Sequence, residues 1–358
     1  MKRVLVTGAY GFIGRHCLPF LKSAGYEIHT VSSIKRPTSQ DITVFSELQC
    51  GEQPFVIPAK AGIHSDDGTV LSLRMDPRLR GDENLSCGDN NSNSDITCHQ
   101  ANLLLPGVID ALMKQVKPSH LLHLAWYTEP SQYWTAKENI AWVKISLNLL
   151  ESFEKQGGKR VVMAGTCAEY DWRYGWCREE LTPLNPTTLY GTCKNALQSM
   201  LVSFSKQYDL SAAWGRIFFL YGPHENSSRL FPYLMKTLLN SEAARCTAGN
   251  HIRDFLHVSD VASAFVALLH SDVQGPVNIA SGEALPIKDF IHKVAQKLGR
   301  ADLIRLGVKQ ISSAEPALLV ANIQRLETEV KWRPEFNLET GLDHAIASWH
   351  SQLVNAAQ

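Results

Sequence analysis

RVLVTGAYGFIG, Arg3 to Gly14, decides how the rest of this chain reads. Arg3 to Thr7 is an apolar run suited to a strand buried on both faces. Gly8, Gly11 and Gly14 follow at GxxGxxG spacing. Arg15 to Ala24 then carries a helical period, and Gly25 closes it as a C-cap. Glu27 to Ser33 reads as a second strand and completes a βαβ unit. In such a unit Gly8 permits a tight turn, Gly11 lets the backbone approach a pyrophosphate, and Gly14 lets the helix pack closely on the strand. The helix N-terminus offers N–H groups and a positive dipole end to phosphate. A dinucleotide is therefore expected on Gly8, Gly11, Phe12, Ile13 and Gly14.

The same alternation continues downstream. His120 to Ala125, Arg160 to Ala164 and Ala212 to Leu220 read as further buried strands. Gly107 to Val116, Thr135 to Gln156 and Leu189 to Tyr208 read as the helices between them. This rhythm predicts an α/β fold, a doubly wound parallel sheet with helices on both faces. From about Pro223 the pattern loosens into loops and helices. We place a dinucleotide-binding domain at 1–222 and, over 223–358, a smaller substrate-binding lobe with segments returning to the first domain. A chain of 358 residues is too long for one core of ordinary size, which agrees with two lobes.

Composition excludes several classes. Lys+Arg and Asp+Glu both number 35, so nucleic acid, which needs a basic excess, is not the expected partner. The eight cysteines form no CxxC and repeat no metal-ligand spacing, so no metal is expected. Reduced thiols, the lack of a signal-peptide core and the lack of an apolar run of membrane length point to a soluble cytoplasmic protein.

Residues 51–95 break the pattern. Connections longer than about 12–15 residues are uncommon in compact domains. VIPAKAGI and RMDPRLRGD within this stretch resemble translated copies of palindromic repeat elements found in some bacterial genomes. We read 51–95 as a tolerated surface insertion, with the interrupted strand resuming at Ile96 to Gln100.

Chemistry enters at three places. After the second strand the chain reads Ser32, Ser33, Ile34, Lys35, Arg36, with no acid before Asp41. A carboxylate there would accept from ribose hydroxyls; hydroxyls and cations instead favour a 2′-phosphate, hence NADP(H) over NAD(H). Tyr190 and Lys194 lie four apart in a helix and share a face. A cation beside a phenol favours the phenolate, so Tyr190 is expected to have a lowered pKa. Thr166 follows the strand Arg160 to Ala164, at the carboxyl end where such sheets bind ligands.

Together these features resemble the extended short-chain dehydrogenase/reductase family, which modifies nucleotide sugars on a Rossmann sheet. TGAYGFIG at Thr7–Gly14 matches its glycine motif, and HLAW at His123–Trp126 is similar to its H-L-A-A turn. RIFFLYGP at Arg216–Pro223, RDFLHVSD at Arg253–Asp260, NIASGE at Asn278–Glu283 and WRPEFNLETGL at Trp332–Leu342 resemble its later motifs. The resemblance implies a catalytic trio of Thr166, Tyr190 and Lys194. It implies cofactor contacts from Leu124 and Ala125 and from Tyr190 and Lys194. It also implies that Arg253 grips a substrate diphosphate; Trp126, beside the cofactor turn, and His224, just after the YGP turn, are read from their positions as further substrate contacts. Homodimers in this family pair the helices corresponding to Thr135–Gln156 and Leu189–Tyr208.

Departures from the family narrow the reaction. Cys167 and Ala168 stand where the family's dehydratases place Asp-Glu, and Ala168 stands where one epimerase–reductase type has a cysteine. Phe219 replaces the Asn of R-x-x-N-x-Y-G-P, and Asn102 replaces an acid beside the adenine. Glu169, Asp171 and Arg173 read as solvated loop charges. Trp126, Tyr127, Tyr133 and Trp134 form an aromatic patch suited to a pocket wall. The expectation is an NADPH-dependent reductase of a nucleotide-diphosphate keto-sugar, a 4-keto-6-deoxyhexose, feeding surface glycan. The alternatives are an NAD-dependent 4-epimerase and a non-catalytic NADP-sensing protein.

Overall fold

The computed structural model describes residues 2–33, 96–310 and 315–356. The insertion expected at 51–95, and Lys35 and Arg36, lie outside the described residues. The chain opens with β1 (Lys2–Thr7), α1 (Gly14–Ser23) and β2 (Tyr26–Ser32). It continues through β3 (Ile96–Gln100), α2 (Val108–Val116), β4 (His120–His123), α3 (Glu138–Lys155) and β5 (Arg160–Thr166). After the short β6 (Trp176–Cys177) come α4 (Leu189–Gln207), β7 (Ser211–Ile217) and β8 (Phe219–Tyr221). Next are α5 (Leu230–Leu239), β9 (Ala244–Arg245), β10 (Ile252–Arg253), β11 (Phe255–His257) and α6 (Val258–His270). The last elements are β12 (Gly275–Ile279), β13 (Leu285–Pro286), α7 (Ile287–Lys297), β14 (Ile304–Arg305), β15 (Leu318–Ala321), α8 (Gln324–Thr328) and α9 (Leu338–Ala356).

Seven strands form one parallel, Rossmann-like sheet in the order β12-β7-β5-β4-β1-β2-β3. Strand order reverses beside β1, so the glycine turn and the end of β4 open on the same crevice. Successive side chains of β1 point to opposite faces, and both are buried. Val4 and Val6 pack with Leu21 of α1 and Phe265 of α6; Leu5 packs with Leu112 of α2 and Phe153 of α3. That two-sided burial explains the continuous apolar run.

β3 differs from its expectation. It does not resume β2 but lies beside it as the next parallel strand, Ile28 facing Ile96. The run Ala212 to Leu220 is also two elements, because the chain leaves the large sheet after Ile217 and β8 pairs with β11. β12 and α6 lie late in sequence yet belong to the large sheet and its α1 face. α5, α7 and α9 build a core of their own, where Phe231 and Leu234 of α5 meet Phe290 and Val294 of α7 and Leu342 of α9.

Asp254, between β10 and β11, joins the parts. Its buried carboxylate accepts from Ser281 N and Oγ, Gly282 N and Ala321 N. Asp260 in α6 similarly accepts from Glu335 N (2.9 Å) and Phe336 N (3.0 Å). The two acids of RDFLHVSD are thus a pair of backbone clamps.

Several histidines are buried neutral. Desolvation pushes His123 and His257 down to about 3, and His99 and His120 down to about 4. Each lies below the ordinary value of 6.5, so the unfolded chain takes up the proton first. Stability from these groups is complete above about pH 6.5 and is lost as pH falls toward 4. Urea midpoints measured from pH 7.5 to 4.5 should therefore fall, each fully buried histidine contributing up to ~1.4 kcal/mol per unit. A flat profile would contradict the neutral burial.

Candidate active site

The glycine turn is built by close approach. Gly8 has φ +71°, and a Cβ there would stand 2.7 Å from the Ala125 nitrogen. A Cβ on Gly14 would overlap the Gly8 carbonyl oxygen. Gly11 is exposed: its N–H closes the turn on Gly8 O at 3.0 Å, and a Cβ there would stand 3.2 Å from the same oxygen. The N–H groups of Phe12 and Ile13 have no backbone acceptor among the described residues, and no side chain caps α1. Leu124 and Ala125 complete the facing wall, their N–H groups donating to Thr7 O (3.2 Å) and Thr7 Oγ1 (3.3 Å). An open concave backbone at a helix N-terminus fits a dinucleotide pyrophosphate. Arg15, which the sequence reading passed over, braces the turn by donating to Tyr10 O (2.8 Å) and Gly11 O (3.3 Å).

His123 fixes the neighbouring turn. It pairs with Thr7 Oγ1 (2.6 Å) and Ser146 Oγ (2.7 Å), tying β4 to β1 and α3. Ser32 ends β2 and Ser33 is exposed just beyond it. Asn102 accepts from Leu104 N at 3.1 Å, so its carbonyl shapes a local turn.

The trio converges at the carboxyl ends of β5 and β4. Thr166 is the last residue of β5 and is buried. α4 begins with Thr188 capping Gly191 N, and this places Tyr190 and Lys194 one turn apart facing β5. Lys194 donates to Ala164 O at 2.7 Å inside the fold. Burial pushes its amine down to about 7, against an opposing pull from Glu169. Tyr190 departs from expectation. Burial and the neighbouring Tyr133 push its phenol up, and the hydrogen bond from Thr166 only moderates this. Spacing alone suggested a lowered value, but desolvation outweighs the cation, whose ammonium is bonded to Ala164. Tyr190 is therefore a protonated donor at neutral pH.

The family model for the NAD dependent epimerase/dehydratase family matches residues 4–280. The chain belongs to that family. It is 24% identical over 371 residues to the UDP-glucuronic acid decarboxylase 1 of Xenopus tropicalis, covering 99% of this chain and 74% of that one. Over 355 residues it is 22% identical to the CDP-abequose synthase of Salmonella muenchen, covering 95% and 96%. Its fold matches the UDP-glucuronic acid 4-epimerase of Bacillus cereus, solved with UDP-glucuronic acid and NAD, at TM-score 0.73 and 19% identity, covering 98% and 100%.

Within this epimerase/dehydratase fold, the loop after Thr166 is not a set of solvated charges. Glu169 is fully buried. It accepts from Thr166 N (2.8 Å), Trp214 Nε1 (2.9 Å) and Arg216 Nε (2.7 Å). A Cβ on Gly165 would overlap Trp214 Nε1, so glycine is required for the contact. Asp171 is also buried and held well below the usual carboxylate range by Arg173; only Arg173 is exposed. Cys167 is buried with its thiol pushed up, which suits packing and not nucleophilic chemistry.

The aromatic patch divides. Tyr133 and Trp134 meet the Tyr190 ring edge-on at 5.0 and 5.8 Å, and Arg229 lies 5.4 Å over Tyr133. Tyr127 turns away to Gln132. Trp126 stands over Lys194, its ring centroid 3.7 Å from Nζ. Of the other expected substrate contacts, His224 is exposed with φ +67° and sits 6.0 Å from His16 of α1, on the glycine-turn side. Arg253 is 1% exposed, donates to Ile252 O and Pro316 O, and pairs with Glu315 at 3.3 Å. Phe219 lies under it at 5.3 Å. In this conformation the guanidinium holds chain segments together.

Glu169→Gln leaves Arg216 charged and buried without its partner. Unfolding free energy should fall by about 3 kcal/mol, as expected for a broken buried pair. The double variant Glu169→Gln/Arg216→Met should recover much of it. A single-variant loss below about 1 kcal/mol in urea denaturation would put the pair among the weak interactions.

Proposed function

We propose that this protein is an NADPH-dependent reductase of a keto group on a nucleotide-diphosphate sugar, with a 4-keto-6-deoxyhexose as the expected substrate. One observation carries the reading: the Tyr190 phenol stands next to the Thr166 hydroxyl at the end of β5, walled by Tyr133 and Trp134, one helical turn from Lys194. A reduction needs a proton donor at the carbonyl oxygen, and a neutral phenol supplies it. When bound, the reduced dinucleotide supplies the hydride. Thr166 holds the carbonyl oxygen while Tyr190 gives up its proton to it, and the Lys194 ammonium then offsets the phenolate. Cys167 and Ala168 offer no acid or base for eliminating water, which argues against dehydration.

Nucleotide-sugar substrates in the names of the relatives above support the substrate class. Trp126, His224 and Arg253 are its expected contacts, with Arg253 exchanging part of its present bonding. The preference for NADP(H) rests on Ser32 and Ser33 at the end of β2, with Lys35 and Arg36 just beyond. Cytoplasmic location and a homodimer through α3 and α4 complete the reading. Ile140 and Met200 expose apolar surface on those helices, and sedimentation measures the oligomeric state.

The rival is a 4-epimerase retaining NAD, favoured by the fold match to an epimerase solved with that cofactor. Such an enzyme takes a proton from the sugar hydroxyl and then returns one, so Tyr190 would serve it too; what argues against it is the lack of an acid between Ser32 and Asp41 to accept from the ribose hydroxyls. A sensing protein without turnover would need neither Tyr190 nor Thr166.

Nucleotide retained by the purified protein, identified by mass spectrometry, and parallel titrations with NADPH and NADH separate these readings. Weak, exchangeable binding that favours NADPH is expected. Tyr190→Phe should then lower kcat on a keto-sugar nucleotide by ~10²–10⁴ while leaving cofactor binding intact. Tightly retained NAD would put the epimerase first. Undiminished turnover in Tyr190→Phe would remove Tyr190 from the chemistry.

A further inference from the structure

Lys194 is a buried cation without a carboxylate partner. Glu169, the acid that acts on it, is taken up by Arg216, Trp214 and the Thr166 N–H. His123, facing it from β4, is neutral and bonded to Thr7 and Ser146. Tyr190, on its own helix, keeps its proton. No salt bridge reaches Lys194 among the described residues. One ammonium hydrogen goes to Ala164 O at 2.7 Å. The remaining contact is aromatic: Trp126 at 3.7 Å, with Trp214 behind at 5.9 Å. The first lies well inside the ~6 Å range within which a ring face attracts a cation.

That indole is not free to turn. Its Nε1–H donates to Asn139 Oδ1 at 2.8 Å. Asn139 is fully buried at the start of α3, and its amide nitrogen donates to Tyr133 O (2.7 Å) and Ala136 O (2.9 Å). One side-chain amide therefore fixes two walls of the site, the indole over Lys194 and the strand of chain that sets Tyr133 against Tyr190. Trp142 backs the indole at 6.3 Å.

We propose that Trp126, clamped by Asn139, is a positioning residue that holds Lys194 in its ammonium form. This deepens the function proposed above, because the ammonium is what that reading uses to offset the Tyr190 phenolate. Desolvation pulls the amine toward neutrality, and the electron-rich ring face opposes it. The ring acts through Lys194 and need not touch substrate.

The test reads Lys194 in the cofactor-free protein. Lysine labelled with ¹³C at Cε gives a resonance for each side chain, and Lys194→Arg identifies the one that disappears. Trp126 is then replaced site-specifically by tryptophans carrying increasing numbers of ring fluorines. These keep the shape and the N–H but drain the ring face. The Lys194 midpoint should fall stepwise, by about one unit or tenfold in proton affinity across the series, which is ~1.4 kcal/mol. Trp126→Leu should fall at least as far, and Trp126→Phe should fall less. A midpoint that ignores fluorination overturns the proposal. A rise in Trp126→Leu also overturns it, since the indole would then only be excluding water. No turnover or cofactor enters this measurement. If Lys194→Met kept full turnover, the catalytic reading would fail while the titration result stood.

Discussion

A fully buried ion pair, Glu169 with Arg216, anchors the catalytic end of the sheet. Neither charge sees solvent, so each must be satisfied internally. Glu169 meets this by collecting the Thr166 N–H and the Trp214 indole as well as the guanidinium. Arg216 passes the network to Tyr170, whose hydroxyl donates to Asn278. Asn278 in turn bonds Cys177 O and Asn322 O. The chain of contacts runs from the end of β5 through β7 and β12 to the edge of the C-terminal elements. Thr166 is held where it is because a charge behind it cannot be released to water.

The cofactor side depends on a different constraint, the absence of side chains. Gly8 and Gly14 let β1, α1 and the end of β4 approach until a single Cβ would not fit. Gly11 lies exposed on the outside of the same turn. His123 then locks Thr7, so the turn and the wall at Leu124 and Ala125 move as one piece. Close packing on one side and free N–H groups on the other follow from three positions. The concave turn is built from backbone, and Arg15 serves to brace its carbonyls.

What could be read from sequence was local. The glycine spacing, the Tyr190–Lys194 turn and the hydrophobic runs each lie within a few residues, and helix and strand geometry translate them directly. Glu169 was misread because the groups that bury it lie on β7, in Trp214 and Arg216, more than forty residues away. Asn139 gave no signal, since a lone Asn opening a helix is unremarkable until Trp126 and Tyr133 are folded against it. The Tyr190 expectation failed in direction for a related reason. Spacing placed a cation nearby, but it could not show that Lys194 spends a proton on Ala164 or that aromatic rings exclude water from the phenol.

Glu169 and Arg216 cancel, Tyr190 is neutral, and His123 is neutral. Beside Thr166, the Lys194 ammonium is reached by no salt bridge among the described residues and is met by a carbonyl and a ring face. A buried, incompletely compensated positive charge is unfavourable in the resting protein. In the proposed reduction it would become favourable as negative charge develops nearby, first on the oxygen being protonated and then on the phenol that gives up its proton. Interactions that strengthen toward the transition state are those that accelerate a reaction. On the proposal made for Trp126, the aromatic walls would hold the cation in place without neutralising it, as a carboxylate would.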